Sequence, residues 1–480
     1  MKKTLALLLV LLMLMPMLFS CKKQDKQPNT DDTVVQDEEE IPVLVENLGK
    51  GDTPKEFNIW YADCDFADET LTVEEPTTTL DSEIWERNMV VEDRLNCLIT
   101  ATLAQSVYYI ADNVRIIHQS GEAAYDLYYF TSWLGLPLSI QGVYVGSDEL
   151  DLIDFSGDWW DVDAQNGLAI HGNAYTLVGA AALQYYDSYM MMAYNKSIAE
   201  ARGMPNLAEV ALDGEWTWEK LYQYTVEAYD DKHSAVEGES VGDTFGFTSS
   251  YELMTYALIS SGDDIITYDE DNYPSFSGFS SRTITIFDQI RDWFYNRDET
   301  FIAEWDCGKL GVTTAFFHDV FTDGNCLFYI EPIGSLEKLR DVEFEFTVLP
   351  LPKWETRDQY LTMVSVHTYA FFVPAVTEDL RPVSILLDNL NYQSHKDVTP
   401  VYVEEIVTLQ RVRNEDSYKI LNEIILPSEK KISLLMAYDF AELYSKMREI
   451  AATNTGLGSL GAGVSRTFAS KVAQAIGPKP

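Results

Sequence analysis

The sequence predicts an α/β protein in which helices cover largely parallel sheets. Short apolar runs with β-type alternation recur between segments of amphipathic helix, and this strand–helix alternation repeats from Glu56 onward. The 480 residues are 46% apolar and 12% aromatic, enough to bury large cores, and the length suits two to three domains. Ligands of such sheets lie beyond the carboxyl ends of the strands, so residues just past strand ends are the first candidates for a site.

Phe57, Ile59 and Tyr61 alternate as a strand that ends at Ala62-Asp63. Ser82 caps a helix running through Asn96, with Ile84, Trp85, Val91 and Leu95 on its inner side. Cys97 to Thr102 reads as strand, Val107 to Gln119 as helix and Tyr125 to Phe130 as strand, with Trp133 just past it. Gly172-Asn173 between two short β-type runs is a hairpin turn. Tyr189 to Lys196 is an apolar strand leading into a helix that Gly203 ends. Thr217 caps a helix to about Tyr229, and Glu219 in its first turn suits the positive end of the dipole. Tyr251 to Ser261, Thr283 to Asn296 and Thr314 to Thr322 are further helices. Ile286, Phe287, Ile290, Trp293 and Phe294 share one face, which makes Trp293 a core residue. Asn325 to Ile330 and Val342 to Leu349 are strands, and Glu331-Pro332-Ile333-Gly334 interrupts regular structure between them. Tyr369 to Pro374 is a strand before a helix over Leu380 to Tyr392. The rest is mostly helical and closes in a glycine-rich stretch, Gly456 to Gly463, with a loose tail.

The chain begins Met1-Lys2-Lys3, followed by an apolar run from Leu5 to Met15. Two lysines, a short hydrophobic core and a small residue at a cleavage point make residues 1–20 a secretory signal, too short for a stable bilayer span. Leu18-Phe19-Ser20-Cys21 resembles the bacterial lipobox, which implies a diacylated Cys21 at the mature amino terminus; two acyl chains are what stable anchoring requires. Residues 21–51 then read as an extended acidic tether carrying Asp31, Asp32, Asp37, Glu38, Glu39 and Glu40.

Acidic residues number 77 against 34 basic ones, a net charge of -43, which excludes nucleic-acid binding because phosphates need cations. Of the five cysteines, Cys64, Cys97, Cys307 and Cys326 remain once Cys21 is acylated. Cys64 follows one strand and Cys97 opens the next, so parallel neighbours would hold the thiols about 15–20 Å apart, beyond disulfide reach. Cys307 and Cys326 lie before and after a helix, and buried free thiols are expected.

Tyr194-Asn195-Lys196 before a helix, Gly203-Met204-Pro205 after it, and Trp216-Thr217-Trp218-Glu219-Lys220-Leu221 together form a pattern. With Asn325 to Ile330, and Val348-Leu349-Pro350-Leu351-Pro352-Lys353 followed by Thr362-Met363, it resembles the family 1 extracellular solute-binding proteins of carbohydrate ABC transporters; Trp159-Trp160-Asp161 resembles a subgroup of them. The resemblance implies a periplasmic-binding-protein-like fold of type II, two α/β lobes joined by hinge strands around a ligand cleft. Carried onto this chain, the first lobe would take 52–182 and 331–392 and the second 187–328 and 393–480, with crossovers near Ala181 to Tyr189 and Tyr329 to Gly334. It further implies an extracytoplasmic, membrane-anchored monomer that hands a carbohydrate, an oligosaccharide first of all, to ABC permease subunits. The loop from Asp230 to Asp243 lacks an EF-type ligand pattern, so no metal is assigned, and no cofactor is expected.

A carbohydrate site pairs aromatic platforms with planar polar side chains. By position the candidates are Tyr61 and Asp63 at the end of the first strand, Trp133 past the third, Asp187 in the first crossover, and Glu331 in the second. Tyr251 opening a helix of the second lobe and His367 before a strand of the first complete the set. Trp159 and Trp160 read as packing, and Trp216 and Trp218 as staples of a helix start. No paired-histidine metal motif, phosphate loop or nucleophile elbow occurs, so no catalytic residue is assigned and the chain reads as a binding protein. Two other readings stay open: a surface lipoprotein glycoside hydrolase, which needs two carboxylates across a groove, and a binding protein for peptide or another polar solute.

Overall fold

The computed structural model describes residues 41–62, 71–232, 243–403, 414–453 and 455–476. The signal sequence, Cys21, most of the tether, Asp63, Cys64 and the loop 233–242 lie outside the described residues. Contacts divide the chain after Pro42, and the following concerns the unit from Val43 on.

Its strands are β1 (Lys55–Tyr61), β2 (Cys97–Leu103), β3 (Leu127–Thr131), β4 (Met190–Asn195), β5 (Phe245–Ser249), β6 (Ile266–Tyr268), β7 (Pro274–Phe276), β8 (Thr300–Ile302), β9 (Cys326–Pro332), β10 (Phe346–Leu349), β11 (Leu361–Thr362) and β12 (Tyr369–Phe372), with a two-residue strand at Glu429–Lys430. One sheet has the order β12-β3-β1-β2 and a second the order β10-β4-β9-β5-β8. In the first, β1 runs parallel to β2, with Lys55 opposite Cys97, and to β3, while β12 runs antiparallel with Tyr369 opposite Thr131. In the second, β5 runs parallel to β8 and β9, and β4 lies antiparallel to β9 and β10. The carboxyl ends of β1 and β3 therefore share an edge with the start of β12, and those of β5, β8 and β9 share an edge with the start of β4. β4 reads MMMAYN and is buried throughout, as a central strand covered on both faces must be.

Local chemistry explains most boundaries. The first helix starts earlier than Ser82, at Thr79, because Thr78 and Asp81 form a reciprocal capping box: the Asp81 amide donates to Thr78 Oγ1 at 3.0 Å and the Thr78 amide to Asp81 Oδ2 at 3.0 Å. The expected tether ends sooner than Gly51. Val43 is buried, the Leu48 amide donates to the Leu95 carbonyl, and Asn389 Nδ2 donates to the Leu44 carbonyl, so residues 43–51 pack along the first sheet's helices. The hairpin turn sits one residue before Gly172-Asn173: His171 and Gly172 take φ of 57° and 75°, and Ile170 and Asn173 exchange backbone hydrogen bonds around them. Pro332 does not break β9 but ends it opposite Met190, its missing N–H falling at the strand terminus, and a 3-10 helix, Ile333–Leu339, follows.

Two larger differences concern the ends of elements far apart in sequence. Segment 331–392, assigned to the first lobe, serves both sheets: β12 joins the first, but β10 pairs with β4 in the second. The tail after Gly463 is helical through Ile476, because Val464, Phe468 and Val472 make a buried stripe at four-residue spacing. Trp216 and Trp218 are fully buried, their indole N–H groups donating to the Pro350 carbonyl and to Ser260 Oγ, while Thr217 caps the helix Trp218–Ala228. Gly246 in β5 leaves no room for a side chain, since a Cβ there would lie 2.0 Å from the Thr225 carbonyl oxygen. Cys97, Cys307 and Cys326 are buried free thiols. Burial pushes Cys97 up to about 12 and Cys307 up to about 11. Among the described residues no helix is long and apolar enough to cross a membrane.

Candidate ligand site

Past the end of β3 the chain turns into the helix Ser132–Ser139, which sets Trp133 at the edge of the first sheet. The indole meets three other rings: Tyr444 stacks on it at 5.9 Å and 17°, while His367 and Tyr108 approach edge-on at 6.1 and 5.8 Å. Tyr444 belongs to the helix Leu443–Thr453, and it also meets Tyr438, at 6.4 Å, and Tyr251, at 5.0 Å, just past the end of β5. The ring series thus joins the carboxyl ends of the two sheets. One turn on from Tyr444, Arg448 lays its guanidinium over both tyrosines, 5.7 Å from Tyr251 and 5.9 Å from Tyr444.

Polar groups without partners surround this cradle. On the first-sheet side the hydroxyls of Thr131, Ser132 and Thr368 and the indole nitrogen of Trp133 are buried with no hydrogen bond. They are neighbours, for the Ser132 amide donates to the Thr368 carbonyl at 2.7 Å. Folded proteins rarely leave such groups unpaired, and a patch of them beside a ring platform is what a polyhydroxylated guest satisfies. On the second-sheet side Glu304, two residues past β8, has an unpartnered Oε2.

Behind the cradle lie two further acids. Glu252 opens the helix Glu252–Ile259 and its Oε2 accepts from the Tyr256 hydroxyl at 3.3 Å. Glu331, opposite Met191 in β9, accepts from Ser335 Oγ at 3.0 Å. Burial pushes the Glu252 carboxyl up to about 7, with Glu304's charge adding to the effect and the Tyr256 hydroxyl opposing it. Burial, and then the charge of Glu252, hold Glu331 well above the usual carboxylate range. The network continues through Tyr438, hydrogen-bonded to Thr255, and through Tyr329, whose hydroxyl meets His318 Nδ1 at 2.5 Å. Burial lowers His318 to about 4.

Of the residues singled out from sequence, Trp133, His367 and Tyr251 thus meet in one cluster, and Glu331 is tied to it electrostatically through Glu252. Tyr61 is buried at the end of β1 with its carbonyl accepting from the Ala104 amide, and Asp187 is buried at the end of the short helix Gln184–Asp187; the contacts just described run without them. Asp63 is outside the described residues. Sequence reasoning missed Tyr444, Arg448, Glu252 and Glu304. The last two stand directly after Tyr251 and two residues past a strand, and a strand at 300–302 would have pointed to Glu304. Tyr444 and Arg448 carry only the four-residue spacing of a common helix face.

A separate cavity of about 380 Å³ opens beside Trp159, Trp160, Asp161, Asp163, Tyr185 and Tyr186. Its floor is rigid: both indole N–H groups donate to Asp388 Oδ1, at 2.6 and 2.9 Å, so the Trp pair packs as the sequence suggests.

This arrangement of two mixed sheets covered by helices is matched by many solved structures. An ABC substrate-binding protein from Listeria monocytogenes in complex with cycloalternan matches with a TM-score of 0.54 and 13% identity over 89% of this chain and 100% of its own. This is the fold of the extracellular solute-binding proteins. A maltose/maltodextrin-binding domain from Bdellovibrio bacteriovorus bound to maltotriose matches at 0.55 and 13% identity, covering 87% of this chain and 99% of its own. A solute-binding protein from Thermotoga lettingae bound with α-D-tagatose gives 0.55 at 12% identity over 87% and 100%. At such identities the solute-binding-protein fold is what is held in common. No family model and no curated protein matches the sequence.

Proposed function

We propose that this protein is an extracytoplasmic binding protein that captures a carbohydrate between the two sheets and presents it to an ABC permease, tethered to the membrane through acylated Cys21. The observation that carries the reading is the cradle of Trp133, Tyr444 and Tyr251 flanked by the unpaired hydroxyls of Thr131, Ser132 and Thr368. Apolar sugar faces suit the rings, and sugar hydroxyls suit the orphaned donors and acceptors. A guest touching both sides favours closure by as much as it binds the closed form better. The solved relatives with carbohydrate ligands named above support the same class. Titration of the purified soluble chain with mono- and oligosaccharides, read by tryptophan emission and calorimetry, tests it. A ligand that saturates wild type and fails to bind Trp133→Ala supports capture at this site, and no binding by any glycan refutes it. Labelling with a fatty acid that is lost in Cys21→Ala tests the anchor.

One observation favours a second reading. Glu252, with its carboxyl pushed up to about 7, has the proton a glycosidase acid would need at neutral pH. Steady release of reducing ends from glycans, abolished in Glu252→Gln, would establish hydrolysis in place of capture.

A further inference from the structure

Among the described residues two buried acids, Glu304 and Asp439, keep an oxygen with no hydrogen-bond partner, and Glu304 is the one whose neighbouring arginine covers the ring cradle. Its side chain is only 9% exposed, yet Oε2 has no hydrogen-bond partner. Its nearest cation is Arg448, whose Nε lies 4.0 Å from Oε1, too far for a hydrogen bond, and whose guanidinium is spread over Tyr251 and Tyr444. Backbone N–H groups of Tyr251 and of Glu304 itself also favour the charged carboxylate, so Glu304 sits beside the ring cradle with Oε2 left unpartnered. An isolated buried carboxylate is costly unless it is paired or protonated. Glu252, which Glu304 opposes electrostatically, and Glu331 behind it add negative charge on the same side. Against these three acids stand Arg448 and, beside Glu331, Lys338. The second-sheet wall of the cleft is thus short of positive charge, and of these three acids Glu304 is the one with a buried oxygen that has no partner.

We propose that Glu304 selects the charge of the guest: its free oxygen receives an ammonium group, so the cleft prefers an amine-bearing sugar to the same sugar with a hydroxyl or an acetamide at that position. The inference rests on the carbohydrate reading above and adds the guest's chemical class. An ammonium supplies both the hydrogen bond Oε2 lacks and the missing charge. A hydroxyl supplies the hydrogen bond alone, and an acetamide supplies a weaker donor with added bulk. Burial raises the Glu304 carboxyl, so in the empty cleft a proton competes for it, and a cationic guest takes the proton's place.

The test uses three trisaccharides with one backbone and one linkage, the β-1,4 trimers of glucosamine, N-acetylglucosamine and glucose, with glucosamine, galactosamine and their parent hexoses beside them. Binding is measured by calorimetry at about pH 6, where the sugar amine is protonated. Wild type is expected to bind at least one amino sugar roughly tenfold or more tighter than its neutral counterpart, the size of one charge-assisted hydrogen bond. Glu304→Gln, nearly the same shape without the charge, is expected to erase that ratio while still binding the neutral sugars. A merely structural role for Glu304 would weaken all guests alike and leave the ratio standing. Neutral sugars bound as tightly as amino sugars by wild type, or a preference unchanged in Glu304→Gln, overturns the inference and leaves carbohydrate capture in place. Failure of every sugar, neutral and amino, sinks both. If the variant does not fold, equal binding of neutral and amino sugars by wild type still overturns the inference.

Discussion

Glu252→Gln should change how stability depends on pH, in a direction the site's geometry fixes. The folded carboxyl titrates at about 7 because burial disfavours its charge, whereas in the unfolded chain it returns to an ordinary 4.5. Between those values the folded protein holds a proton that the unfolded chain has lost, so stability falls as pH rises through the window. The part of that window above pH 5, roughly 2 units at ~1.4 kcal/mol each, amounts to about 3 kcal/mol. Gln imitates the protonated acid and has nothing to lose. Relative to wild type, the variant should therefore gain about 3 kcal/mol at pH 8 over its standing at pH 5. For a unit of about 430 residues, at ~2 cal/mol/K each, that corresponds to about 3 °C in Tm. Calorimetric scans of ligand-free protein and variant across that range measure it. Parallel profiles for the two proteins would show that Glu252 titrates like an exposed acid, and the argument from burial would fall.

His318 has the opposite sign. Its folded value of about 4 lies below the usual 6.5, so stability is present above 6.5 and is lost as pH falls toward 4, by at most about 3 kcal/mol; His318→Gln should flatten that acid limb in urea titrations. Asp388→Ala strands two indole N–H groups and should cost about 3–5 kcal/mol, while Asp388→Asn keeps an acceptor and should cost less than half as much, both read from denaturant midpoints. Gly246→Ala drives a methyl group into the Thr225 carbonyl and should destabilise by ~3 kcal/mol or more, visible as lost soluble yield and a lowered midpoint. Trp133→Ala should weaken binding of any sugar ligand roughly tenfold to a hundredfold without moving the unfolding midpoint by more than a degree or two, since the ring is only partly buried.

Much of this architecture is legible in the residues because it is local. The alternation around Phe57, Ile59 and Tyr61, the Thr217 cap and the stripe of Ile286, Phe287 and Ile290 each announce their element within a dozen positions. Strand ends locate Trp133 and Tyr251 for the same reason, as the class of sheet says where ligands sit. What stays hidden is set by distant partners. β8 is three residues long and carries no periodicity, and it holds its place only by pairing with β5; Glu304 is invisible without it. Tyr444 and Arg448 sit on a helix like many others and acquire meaning only because that helix reaches Trp133. β10 follows a first-sheet expectation in sequence yet pairs with β4, a choice made by register between residues about 150 apart.

That late pairing bears on how the polypeptide is made. The first sheet lacks its edge until Tyr369–Phe372 meets Leu127–Thr131, and the second lacks its own until Phe346–Leu349 reaches Met190–Asn195. A chain emerging from the ribosome must therefore wait through about 240 further residues before the first half can finish and about 150 before the second can. Contacts closed across such intervals form slowly, which leaves a nascent chain open and threadable for longer than a protein whose sheets are built from consecutive strands.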